Sequence, residues 1–177
     1  LLINLQDKTS WKEYARSKAL EDLQYHENFS HALAVVTIAR ESEFCYQLSP
    51  YDKDNKMDVF FHHFKEHFGN ENTGYCFPGN LDRVLDSNFF EGIFSAIHRV
   101  FYDGKNMLLR ENRVDFIELF NIFLTLKIIE TAKPDCMCIL CKDGVDSSPA
   151  VYTLLFCFLK RLSSNIFAKI GRASCRE

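Results

Sequence analysis

Phenylalanine recurs at helical spacing along this chain. Met57, Phe60, Phe61, Phe64 and Phe68 fall at three- and four-residue steps and predict a helix over residues 56–68 with one apolar stripe. Gly69 stands at its end. Residues 81–102 repeat the pattern: Phe89, Phe90, Ile93, Phe94, Ile97, Val100 and Phe101 make a wide apolar face, with a break expected near Asp86-Ser87-Asn88. Residues 111–131 predict a long helix, apolar on most sides from Phe116 to Ile129, as expected of a helix buried among others. Pro134 follows and stops it. Residues 10–25 predict a polar helix, opened by Ser10 and Glu13 at capping-box spacing. Nothing in that helix looks chemical.

The β signals are shorter. Residues 31–40, HALAVVTIAR, are apolar and β-branched at their centre and predict a buried strand. Residues 41–55 are polar and turn-like, and 74–78 predict a short extended segment. Residues 137–140 predict a strand that leads into a tight polar loop and then an apolar helix. In that helix Ser148 fits the N-cap and Pro149 the first helical position, where its missing N–H costs nothing. No internal repeat or low-complexity tract breaks the chain. The expectation is a single α/β (or α+β) domain, helix-dominated, with a small sheet.

Composition narrows this picture. With 177 residues, 47% hydrophobic and 25% charged, the chain can bury a sizeable core. The 17 phenylalanines point to an aromatic one, and 7 glycines and 4 prolines are too few for a turn-rich all-β fold. A net charge of −3 gives no electrostatic case for nucleic acid or an acidic membrane. No apolar run of about 18 residues predicts a membrane span. The 7 cysteines, clustered at Cys136, Cys138 and Cys141, fit reduced thiols rather than a disulfide framework. No signal peptide is visible, and a chain opening on Leu1 rather than Met reads as a fragment. Residues 170–177, IGRASCRE, can be encoded by the bases of a common sequencing adapter, so the native domain is sought in residues 1–169.

Candidate chemistry concentrates in Cys141-Lys142-Asp143-Gly144-Val145-Asp146-Ser147-Ser148-Pro149. A phosphate needs several N–H donors pointing inward, and a tight loop feeding a helix N-terminus supplies them along with the helix field. A cysteine at the loop's entrance sits in that field, ionises more readily and becomes a nucleophile. Strand, loop and helix together resemble the phosphate loop of cysteine-dependent phosphatases, most closely the Cys-Lys-Ser-Gly-Lys-Asp-Arg-Thr-Gly form of bacterial effector inositol phosphatases. Cys141, Lys142, Gly144 and Asp146 match that form. Ser147 stands where the arginine belongs, Ser148 replaces threonine and Pro149 replaces glycine. The resemblance implies Cys141 as nucleophile, Lys142, Gly144, Ser147 and Ser148 as phosphate-binding positions, Asp146 and Asp103 as candidate general acids, and no metal or cofactor. Asp103 comes from Asp103-Gly104-Lys105-Asn106, a turn upstream of the loop. The absent arginine is the main departure, since such a residue is worth on the order of 10³–10⁵ in rate; Arg110 and Arg113 are candidates to replace it.

Residues 11–162 also look like uncharacterised proteins of chlamydia-like intracellular bacteria, in which a Cys-Lys-Asp loop follows a long apolar helix. That resemblance implies a bacterial protein, cytoplasmic or secreted into a host cell. Two metal motifs are weighed and set aside. His63-Phe64-Lys65-Glu66-His67 fits H-x-x-E-H, but Glu66 points away from the phenylalanine stripe and a solvated helix flank is expected. Cys136, Cys138 and Cys141 lack further ligands at zinc spacing. The expected function is a degenerate cysteine-phosphatase-like domain that binds a phosphorylated ligand or a host protein with little or no turnover. A non-enzymatic effector or interaction protein ranks second, and an active phosphoinositide or protein phosphatase third.

Overall fold

The computed structural model describes residues 1–174 except Ala39, Glu71 and Thr73. Its sheet has four short strands: β1 (Leu2–Asn4), β2 (Val35–Ile38), β3 (Tyr75–Cys76) and β4 (Cys138–Leu140), in the order β3-β2-β1-β4. β1 lies between β2 and β4 and is parallel to both, pairing Ile3 with Val36 and with Ile139. β3 closes the other edge antiparallel to β2. The helices are α1 (Trp11–Leu23), α2 (Met57–Phe68), α3 (Gly79–Asp82), α4 (Ser87–Tyr102), α5 (Arg110–Ala132) and α6 (Ser147–Ser174). The domain is a helix-dominated α/β fold, as the periodicities predict.

Most expected helices appear within a residue or two of their predicted ends. The break near Asp86 is real: its carboxylate caps α4, accepting the Phe89 N–H at 2.9 Å. Three expectations need correction. The strand expected over 31–40 pairs only at Val35–Ile38, and the central strand β1 was not predicted at all. The capping box at the start of α1 does not form. Ser10 sits at the N-cap without a side-chain bond, and Glu13 instead turns inward to accept the Asp7 N–H at 2.9 Å. Helix α6 begins at Ser147, two residues before Pro149, its expected first residue, so Ser148 lies inside the first turn rather than at the N-cap, and the helix runs through the start of the stretch read as adapter. Residues 175–177, with Cys175, lie outside the described residues.

The two faces of the sheet differ in chemistry because strand side chains alternate. Ile3, Leu5, Val36, Ile38 and Ile139 join the apolar core. That core is the predicted phenylalanine stack: Phe64 of α2 meets Phe90 and Phe94 of α4 and Phe120 of α5 at ring-centroid distances of 4.7–6.1 Å. The opposite face carries Asn4 and Thr37 and is covered by α1, whose inward residues are Glu13, Ser17 and Glu21. Asn4 donates to Ser17 at 2.7 Å, Thr37 donates to Glu21 at 2.6 Å, and Lys8 pairs with Glu21 at 2.9 Å with both side chains about 5% exposed. A buried polar face is tolerable only when its groups satisfy one another, and these do.

Residues 41–55 wrap over α2 and the start of α5. Arg113 is fully buried and donates to the Gln47 side chain, the Asn55 side chain and the carbonyls of Leu108, Tyr51 and Asp52. Arg110 donates to the carbonyls of Tyr46 and Gln47. The histidines of the H-x-x-E-H stretch take part in the same closure. His63 meets Asp54 at 2.7 Å, and His67 meets the Tyr51 hydroxyl at 2.9 Å and stacks on Phe44. The flank expected to be solvated is thus covered at His63 and His67, while His62 and Glu66 remain outside as an exposed pair.

Replacing Arg113 with Ala strands several buried acceptors at once. It is expected to lower unfolding free energy by about 3 kcal/mol or more in urea melts. Phe64→Ala is expected to cost about 3–5 kcal/mol in the same measurement.

Candidate functional site

The parallel strands β1, β2 and β4 point their carboxyl ends to one edge of the sheet, the edge at which open α/β sheets present ligand sites. β4 runs directly into Cys141. Gly144 turns the loop with φ +70°, a left-handed conformation that a side chain would strain. Asp146 then accepts the Ala150 N–H through its carbonyl at 3.3 Å and starts α6. Pro149 falls in the first turn, where its missing donor leaves no gap.

The loop closes around sulfur. Burial raises the pKa of the half-buried Cys141 thiol, but the polar groups around it, the Ser148 hydroxyl and the backbone N–H groups of Ser148, Gly144 and Asp146, favour the ionised form and outweigh it. The thiol therefore ionises below its ordinary value. The Ser148 hydroxyl belongs to a residue only 4% exposed and is left without a hydrogen-bond partner. Cys141 thus stands before a left-handed turn at the start of an α-helix, with a buried, unpartnered hydroxyl in the first turn, a placement that can favour an anion.

The rim is acidic. Glu13 is buried, and its Oε1 lies 3.7 Å from the Lys142 ammonium. Lys142 therefore aims toward α1. The Ser147 hydroxyl donates to Glu41 at 2.7 Å. Arg40, just past the end of β2, is ion-paired with Glu118 of α5. Arg40, Tyr46 and Glu118 line an open cleft of about 260 Å³ together with Asp146, Ser147 and Ala150.

Of the residues singled out in the sequence, Cys141, Gly144, Asp146 and Ser148 meet around the sulfur. Ser147 faces the cleft. Asp103 caps α4 in a left-handed conformation, its N–H bonded to the His98 carbonyl, and the loop's hydrogen bonds do not involve it. Arg110 and Arg113 are held in the 41–55 closure described above. Cys136 and Cys138 are exposed, and no group of three or more His, Cys, Asp or Glu is placed to hold a metal among the described residues. Glu13, Arg40, Glu41 and Glu118 escaped sequence reasoning. Arg40 ends an apolar run and could have been flagged as a charge at the carboxyl end of a strand; the other three carry no local signal. Comparison with protein-family models, curated proteins and solved structures finds no match to this chain.

Alkylation by iodoacetamide needs the thiolate, whose fraction rises with pH through the thiol's pKa. The rate at Cys141, followed by peptide mass spectrometry, is expected to reach half its maximum at lower pH than an ordinary cysteine. Ser148→Ala should move that midpoint up. Because the folded-state pKa is depressed, the loop's hydrogen bonds add stability above the unfolded value, and that addition is lost as pH falls through the folded one. Cys45 is the internal contrast: burial pushes its thiol up to about 11 despite hydrogen bonds from Ser42, so it should stay unmodified in the native protein at pH 8.

Proposed function

We propose that this is a degenerate cysteine-phosphatase-like domain whose Cys141 loop holds a phosphate-like oxyanion with little or no turnover. The placement of Cys141 between the end of β4 and the start of α6, with the left-handed turn at Gly144 and the buried, unpartnered Ser148 hydroxyl beside it in the loop, carries this proposal. Such a loop binds an anion without metal and gives a thiolate suited to attack at phosphorus. Three features argue for slow chemistry. Ser147 replaces the arginine that would grip two phosphate oxygens, and a residue of that kind supplies on the order of 10³–10⁵ in rate. Lys142 is drawn toward Glu13. Asp143 and Asp146 add negative charge to the loop itself. If a phosphoryl group is transferred, Cys141 receives it, and Asp146 is the nearer of the two candidate acids by sequence.

A second reading is an interaction protein, such as an effector that engages a host protein. An apolar groove of about 360 Å³ between α4, α5 and α6 favours it, lined by Ile93, Ile97, Phe101, Phe123 and Phe158 among others. Among the described residues no helix is long and apolar enough to cross a membrane.

Phosphate release from p-nitrophenyl phosphate and soluble inositol phosphates, measured for the chain and for Cys141→Ser, should be indistinguishable or nearly so. Millimolar tungstate should nevertheless raise the melting temperature of the chain. A lack of any tungstate protection would remove the oxyanion site and leave the interaction reading. Turnover of about 1 s⁻¹ or faster that Cys141→Ser abolishes would show an active enzyme instead.

A further inference from the structure

Ser147 occupies the loop position at which the resemblance to cysteine-dependent phosphatases places an anion-binding arginine, and its small side chain leaves the adjoining space open. That space is the cleft shared by Asp146 and Ser147 with Arg40. The turn carrying Arg40 is fastened to the same place, because Glu41, the next residue, accepts the Ser147 hydroxyl at 2.7 Å. The Arg40 side chain is only 16% exposed, so its guanidinium is positioned by the fold rather than free in solvent. Its ion pair with Glu118 runs through Nη2, one corner of a planar group with five donors. By contrast, Arg113 spends its donors on the 41–55 segment and the Leu108 carbonyl, and Arg110 donates to backbone carbonyls of Tyr46 and Gln47.

We propose that Arg40 is the anion-binding arginine of this site, supplied from the end of β2 in place of the one absent at Ser147, and that Glu118 holds it until a tetrahedral oxyanion enters the loop. The proposal rests on the loop being an oxyanion site. Glu118 and the oxyanion compete for one guanidinium, so the ion pair sets a threshold for binding. A doubly charged oxyanion with several acceptor oxygens engages the fork at two points and displaces a single carboxylate, whereas a halide offers no such geometry. Arg40 is a binding residue and Glu118 a positioning residue that acts through it.

The test uses the full chain and sodium tungstate as the probe, at ionic strength held constant with chloride. The melting temperature of each variant is read against its own ligand-free value, so a change in basal stability does not enter. Arg40→Ala should raise the half-saturating tungstate concentration about 10-fold or more, and Arg40→Lys should recover only part of the loss. Glu118→Gln should lower it several-fold, and that gain should vanish when Arg40 is also replaced, which separates release of Arg40 from a general loss of negative charge. Equal half-saturation in wild type and Arg40→Ala would overturn the proposal and leave Arg40 as a strut between β2 and α5, with the loop still an oxyanion site. If Arg40→Ala fails to fold, Glu118→Gln decides, set against its combination with Arg40→Lys: an unchanged half-saturation, or a gain that persists in full with Arg40→Lys, overturns it. Protection absent from every variant and from wild type would remove the oxyanion site itself and this proposal with it.

Discussion

The pairing of Leu2–Asn4 with strands on both sides is the constraint on which the rest depends. β1 is three residues long, yet it joins β2 to β4 and makes their carboxyl ends neighbours. The Cys141 loop follows β4, the Arg40–Glu41 turn follows β2, and the segment running into α1 follows β1. Without the central strand these three connections would have no common edge. Parallel pairing also requires a crossover, and α1 provides the one between β1 and β2.

That crossover explains an otherwise odd feature of the core. α1 is polar nearly all round, so it cannot bury an apolar stripe. It covers the sheet through Glu13, Ser17 and Glu21, against Asn4, Thr37 and Lys8. The other face is hydrophobic and aromatic. The domain is therefore held by burial on one side and by mutual hydrogen bonding on the other. Loss of one partner on the polar side leaves another stranded, which makes that layer sensitive to single changes.

The same polar layer shapes the electrostatics of the loop. Helix α6 and the turning backbone present donors to Cys141, which favours a thiolate. Around that centre stand Glu13, Glu41 and Glu118, each already engaged with Lys142, Ser147 or Arg40. The cations that could serve an anion are thus paired with carboxylates. On the proposed reading, such pairing tempers the loop's attraction for phosphate and favours slow or absent turnover over efficient catalysis.

The sequence by itself determined what local physics decides. Phenylalanine spacing placed α2, α4 and α5. The polar run Asp86-Ser87-Asn88 marked a break before α4. The strand–Cys–loop–helix order marked the candidate site, because a glycine-turned loop before a helix N-terminus is written in consecutive residues. Only the tertiary structure decided the rest. Leu2–Asn4 is too short to show a period, so its place at the centre of the sheet comes entirely from its partners. Glu13 left its expected cap because a buried N–H at Asp7 competes for it. Arg113 and Arg40 are both arginines beside apolar runs, and nothing local tells them apart. One is enclosed by the 41–55 segment and the other pairs with Glu118 at the cleft beside Asp146 and Ser147, because chain segments far apart in sequence meet there, and long-range contacts of that kind leave no trace in either neighbourhood.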